Sequence, residues 1–157
     1  MTTLLRHVEL ATGAPADVAA VERVMAAAFD PRFGEAWTRQ QVLGALAMPG
    51  VSLLLARIGE ATVGFALTRR VLDEAELLLI AVIPDTRRRG VGAALLRGVL
   101  AEARALDVAK LHLEVRAGNG AIQLYTAAGF AKTGERRAYY RGKDGRAHDA
   151  HSYALAL

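Results

Sequence analysis

The stretch that most restricts this chain is "EAELLLIAVIP", residues 74 to 84, read together with the segment directly after it. Its side chains are continuously apolar after Glu76, which predicts a strand buried on both faces, and Pro84 ends its pairing. It leads directly into "RRRGVGAALLRGVL", residues 87 to 100, a glycine turn and then a helix. That helix carries Leu95, Val99, Ala103 and Leu106 on one stripe. "KLHLEV", from Lys110, reads as the next strand. Strand, helix and strand in this order make a crossover, and so a parallel pair inside a sheet.

The remaining segments supply antiparallel neighbours. "TLLRHVEL" reads as a first strand. Between Pro15 and Phe29, the residues Val21, Val24, Met25, Ala28 and Phe29 recur at helical spacing. Thr38 followed by Gln41 is a capping-box pattern, opening a second helix that should stop near Pro49-Gly50. "VSLLLARIGEATVGFALTRRV" predicts a hairpin about Gly59-Glu60. "NGAIQLYTAAG" predicts a short helix with Gly129 in a C-cap position. Strands around Phe130–Tyr140 and Ala150–Leu157 close the chain. The expected fold is α/β: a mixed, mostly antiparallel seven-stranded sheet, about four flanking helices and one central βαβ crossover. No repeat or linker-like stretch interrupts it, so residues 1–157 read as a single domain.

Composition narrows the function classes. A chain of 157 residues with 53% hydrophobic and 23% charged side chains can bury a core without staples. Its net charge of +4 suits an acidic ligand but is too mild to imply nucleic acid. The absence of cysteine excludes disulfides, thiolate metal sites and a cysteine nucleophile. The start lacks a signal-peptide pattern, and no apolar run approaches the roughly 18–20 residues of a membrane span. The expectation is a cytoplasmic protein without membrane or nucleic-acid partners, a monomer or weak dimer.

The glycine turn has a chemical use. At the start of a helix it offers free backbone N–H groups and the positive end of the helix dipole. Gly90 and Gly92 carry no Cβ, and Arg87, Arg88 and Arg89 add donors suited to phosphate. The alternative is three surface arginines that merely keep a helix end soluble. Two other phosphate loops do not fit. A Walker A loop needs Lys-Ser/Thr where Ala93-Ala94 stand. A dinucleotide fingerprint needs a third glycine at Leu95, and its fold needs several strand–helix–strand units.

"RRRGVG", lying between "IAVIP" and a helix, resembles the Arg/Gln-x-x-Gly-x-Gly/Ala loop of the GNAT acetyl-CoA-dependent N-acetyltransferases. "LEVRAGN", "AIQLYTAAGF", "RRAYY…DGR", "DEAELLLIAV" and "FGEAWTRQQV" resemble the family's ribosomal-protein alanine N-acetyltransferase (RimI-like) branch. The likeness covers nearly the whole chain. It implies acetyl-CoA as acetyl donor, with its pyrophosphate on the turn, and no metal. The implied coenzyme contacts are Ile80, Ala81 and Val82 on the strand. Arg87, Arg88, Arg89, Gly90, Val91, Gly92 and Ala93 come next in the turn, with Asn119 and Tyr125 beyond. The implied acceptor is a protein N-terminal α-amine, above all the N-terminal alanine of a ribosomal protein.

Such a transfer needs a neutral amine, a donor for the thioester oxygen and a proton for the departing thiolate. At pH 7 roughly a tenth of an α-amine is neutral, against well under a thousandth of a lysine amine. Strand alternation puts Lys110, His112 and Glu114 on one face. An acid within a central strand needs a reason: a salt bridge to Arg116 or Lys110, or, as the resemblance implies, the role of general base. His112 is a possible proton relay or a cap on a polar edge. Tyr125 reads either as core packing beside Phe130 or, by resemblance, as the acid for the thiolate. Backbone N–H groups around Ala81 and Val82, where Pro84 breaks the pairing, would hold the carbonyl oxygen. Trp37, Tyr139 and Tyr140 are packing or the acceptor's walls. His148 and His151 lack a nearby third ligand for a metal. Two other functions stay open: acetylation of a small amine or antibiotic, and a non-catalytic acyl-CoA-binding regulator or basic nucleic-acid binder.

Overall fold

The computed structural model describes residues 7–86 and 89–157. The strands are β1 (Val8–Thr12), β2 (Val51–Ile58), β3 (Ala61–Val71), β4 (Glu74–Val82), β5 (Lys110–Arg116), β6 (Ala131–Arg141) and β7 (Ala147–Ala156). The α-helices are α1 (Val18–Ala28), α2 (Arg39–Leu46), α3 (Val91–Ala105) and α4 (Ala121–Ala127). All seven strands join one sheet in the order β1-β2-β3-β4-β5-β7-β6. Its pairs are antiparallel except β4 with β5, and α3 is the crossover between those two. The first strand sits later than its sequence pattern suggests, at Val8–Thr12, and the start of "TLLRHVEL" lies outside the described residues.

Each face of the sheet carries its own core. On one side α1 places Val21 and Val24, both fully buried, against Leu55, Phe65, Leu67 and Leu79. On the other, Leu95, Leu96 and Val99 of α3 pack against Leu111, Leu113 and Val115 of β5. Full burial of each such side chain contributes about 1.5–3 kcal/mol. The stripe of α3 ends at Ala103. Leu106 lies past the last turn as the C-cap and is 45% exposed. At α2 the capping box forms as its sequence requires: Gln41 N–H donates to Thr38 Oγ1 and Thr38 N–H to Gln41 Oε1.

β4 departs from the expected burial on both faces. Leu67 pairs with Leu79 and Thr68 with Leu77, so Leu78 is an extra residue bulged out of the ladder. The bulge moves the buried set across the sheet. Ala75 and Leu77 face the α3 core, whereas Leu79 and Ala81 face the α1 core. Leu78, Ile80 and Val82 are only half-buried. The apolar run therefore serves two cores in succession, and its outer residues border an open gap. Among the described residues, no helix is long and apolar enough to cross a membrane.

Candidate active site

The gap exists because β4 and β5 pair only over Glu74–Leu77 and Lys110–Leu113. Beyond those residues both strands continue without each other. Ile83 N–H donates to Val63 O at 2.8 Å, toward β3. Alternation then gives the N–H of Ala81 to β3 and turns those of Ile80 and Val82 into the gap. Of the pair expected at Ala81 and Val82 to hold the carbonyl oxygen, Ala81 is thus engaged in the ladder, and the N–H groups free to face the gap are those of Ile80 and Val82.

The gap opens onto the start of α3. Gly90 is its N-cap, with φ 77 in the left-handed region, and makes no side-chain cap. The first intrahelical bond runs from Ala94 N to Gly90 O at 2.9 Å, leaving the N–H groups of Val91, Gly92 and Ala93 without a helical acceptor. At α2, by contrast, side chains of the capping box take up the N–H groups of Thr38 and Gln41. Arg89 is exposed and lies outside the cavity lining, while Arg87 and Arg88 lie outside the described residues.

One cavity of about 800 Å³ joins these parts. Ile80, Ala81 and Val82 form its β4 wall, and Gly90, Val91, Gly92 and Ala93 its end at the start of α3. Glu114, Asn119 and Tyr125 line its middle, and Trp37, Tyr139 and Tyr140 its far side. Glu114 keeps a salt bridge, but its partner is neither Arg116 nor Lys110. Arg136 Nε of β6 approaches Glu114 Oε1 at 3.0 Å, because β7 between them presents only the small Ser152 opposite Glu114. Tyr125 is buried with its ring edge-on to Phe130 at 5.9 Å. It is thus packed in the core and exposed to the cavity at once.

The far side is a closed arch. The α1–α2 loop and the β6–β7 hairpin meet backbone to backbone: Lys143 N donates to Pro31 O at 3.2 Å. A Cβ at Gly142 would collide with the carbonyl of Arg32, so only glycine permits this approach. Next to the arch, β6 bulges between Arg136 and Tyr140. Ala138 takes φ 53, and its N–H donates to Asp149 Oδ1 at 2.9 Å. That kink carries Tyr139 and Tyr140 to the cavity, their rings 5.0 Å apart.

His112 lines a different, shallower pocket beside Glu74, with Nε2 to Oε1 at 3.6 Å. His148 stacks edge-on against Phe33, and His151 Nε2 lies 3.6 Å from Glu135. Among the described residues no cluster of three or more metal-ligating side chains occurs. Glu35 is a site residue that the sequence does not announce. It lines the cavity and binds Arg116 Nε and Asn119 Nδ2, both at 2.8 Å. Its only sequence signal is an acid inside "FGEAW", which marks no partner.

Burial lifts the Tyr125 phenol well above its ordinary value, with smaller contributions from Tyr140 and Glu35. Tyr140 is raised by burial first, then by Glu35, Tyr139 and Glu114. Above pH 10.0, the ordinary value, the folded chain therefore holds more protons than the unfolded one. This stabilisation is intact below about pH 10 and is lost as pH rises beyond it. Thermal melts should show a falling melting temperature across that range, less steep in Tyr125→Phe. Phenolate absorbance from these two rings should appear only as the chain unfolds. Titration of all tyrosines in the folded protein would contradict the assignment.

Residues 19–130 match the Acetyltransferase (GNAT) family. The chain belongs to this family. Its sequence is 50% identical over 94 residues to the [Ribosomal protein bS18]-alanine N-acetyltransferase of Escherichia coli (strain K12). That match spans 59% of this chain and 63% of the relative's length. The crystal structure of the ribosomal-protein-S18-alanine N-acetyltransferase from Escherichia coli superposes with TM-score 0.85 at 34% identity, covering 96% of this chain and 94% of that one. Ard1 from Thermoplasma volcanium superposes with TM-score 0.83 at 26% identity, covering 96% and 97%. The mixed seven-stranded GNAT architecture is common to these chains.

Proposed function

We propose that this GNAT chain transfers the acetyl group of acetyl-CoA to the α-amine of a protein N-terminus, with the N-terminal alanine of a ribosomal protein as acceptor. The observation that carries the reading is the single cavity. It runs from the uncapped start of α3, along the β4–β5 gap, past Glu114, to the arch. The alanine N-acetyltransferase activity of the Escherichia coli relatives supports the choice of acceptor.

The residues fit the donor. Three N–H groups without helical acceptors, at Val91, Gly92 and Ala93, suit a diphosphate. The N–H groups of Ile80 and Val82 suit an extended amide-bearing arm and the oxygen of an acyl group. Acetyl-CoA, when bound, supplies a thioester carbonyl for the amine to attack and a thiolate that leaves. Glu114 accepts the proton the ammonium must lose, and Arg136 orients that carboxylate. The cost is modest for an α-amine, with a pKa near 7.7–8.0, and larger for a lysine near 10.4. Tyr125 remains protonated, and as a weaker acid than a thiol its contribution is a hydrogen bond to the departing sulfur, with solvent completing the protonation. The arch admits a slender peptide end. Tyr139, Tyr140 and Trp37 stand where its first side chain would enter, and each lost contact there is worth about 1–3 kcal/mol of discrimination.

Competition tests the reading. In a mixture of an alanine-starting peptide, a lysine-bearing peptide with a blocked N-terminus and a small polyamine, the first should turn over fastest. Faster acetylation of either of the others would replace the N-terminal acceptor with a side-chain or small-molecule amine.

A further inference from the structure

We propose that Glu35, Arg116 and Asn119 form a latch that holds the α1–α2 loop across the mouth of the cavity, and that Glu35 is a positioning residue for the acceptor. The proposal rests on the acetyl-transfer reading only for the identity of that acceptor.

The three side chains come from elements far apart in sequence. Glu35 lies 81 positions from Arg116 and 84 from Asn119. Both of its oxygens are engaged: Oε1 accepts from Arg116 Nε and Oε2 from Asn119 Nδ2, each at 2.8 Å. Arg116 is itself fixed, donating from Nη1 to Ala117 O at 3.1 Å and lying 3.7 Å over the ring of Phe33. Asn119 cannot turn its amide round, because its Oδ1 accepts the N–H of Ala121 at 2.9 Å, in the first turn of α4. The charged pair is largely withdrawn from solvent, with side-chain exposures of 14% for Arg116 and 10% for Glu35. Salt therefore screens it little, and removing one member leaves the other poorly solvated.

What the latch joins gives it a role. Arg116 stands two positions after Glu114 on β5, and Asn119 two before α4, which carries Tyr125. Glu35 stands two before Trp37. The latch thus sets the acceptor wall in register with both candidate catalytic side chains. The arch bond from Lys143 N to Pro31 O, at 3.2 Å, ties the loop nearer α1, and beyond Glu35 Trp37 N donates to the thioether sulfur of Met25 at 3.1 Å, a weak bond. A misplacement of about 1 Å at this distance from the chemistry is enough to cost up to 10²-fold in rate.

Glu35→Gln tests this. The glutamine oxygen can still accept from Arg116, but its NH2 then faces the NH2 of Asn119, donor against donor. Adding Asn119→Asp removes the conflict, since the new carboxylate accepts from both the glutamine amide and Ala121 N–H. Trp37 is the single tryptophan, so its fluorescence reports the loop without any need for turnover. Glu35→Gln should raise acrylamide quenching of Trp37 by about twofold and the KM for an alanine-starting peptide by about tenfold, with the KM for acetyl-CoA within about twofold. The double variant should recover the native quenching. Unchanged quenching and peptide KM in Glu35→Gln, or a double variant quenched as strongly as the single one, would overturn the latch. If Glu35→Gln does not fold, restored folding and native quenching in the double variant support it, and a double variant that also fails to fold overturns it. If the wild type acetylates no amine, the transfer reading fails, while the quenching comparison still decides the latch.

Discussion

Glu114→Gln is expected to lower kcat by about 10²–10⁴-fold while leaving the fold and the peptide KM nearly unchanged. The substitution keeps the shape of the side chain and removes its capacity to take up a proton. Stability should change little, because the partner Arg136 is 60% exposed and returns to water when the pair is lost. The residual rate should rise with pH toward about 8, as solvent deprotonates the α-amine instead. Steady-state kinetics beside a thermal melt separates the two roles of this acid. Near-full turnover with a clear loss in melting temperature would make Glu114 a structural ion-pair partner and nothing more.

Gly90→Val should weaken acetyl-CoA binding by at least about tenfold through strain and obstruction at the uncapped start of α3. Gly90 has φ 77, a conformation that a β-branched residue adopts only at a cost of about 1–2 kcal/mol or more. Beyond its chain neighbours and the backbone of its own helix, a Cβ there meets no atom of the described residues within 4 Å, so the added side chain stands in open space and does not press on the core. The fold around α3, anchored by Leu95 and Val99, should therefore persist. Calorimetry with acetyl-CoA measures the effect, and unchanged affinity in a folded variant would remove the turn from the binding site.

The parts of this molecule legible in its sequence are those governed by local rules. The crossover follows from an apolar strand, two glycines and a striped helix in succession, and the α2 cap from Thr38 and Gln41 alone. Glu114 stands out because an acid among Leu113 and Val115 has no local reason to be there. The features that escape sequence reading are all non-local or masked by ordinary residues. Glu35 finds its partners 81 and 84 positions away, and no spacing rule reaches that far. Arg136 pairs with Glu114 across the intervening β7, which depends on sheet order. The bulge at Leu78 looks like a continuous buried strand, since bulged and regular apolar residues read alike. Ala138, held at φ 53 by Asp149, lacks the glycine or asparagine that would have announced a kink.

Acetyl transfer to an N-terminal α-amine is the central claim, and one peptide tests it most directly. That peptide begins with alanine and carries a lysine several residues later. It is incubated with acetyl-CoA and the purified protein, and tandem mass spectrometry then locates the new acetyl group. The expected product carries a single acetyl group on the alanine nitrogen, with the lysine unmodified while the N-terminus is being consumed. Acetyl on the lysine first, or on neither amine while the same protein acetylates a small polyamine, would contradict it.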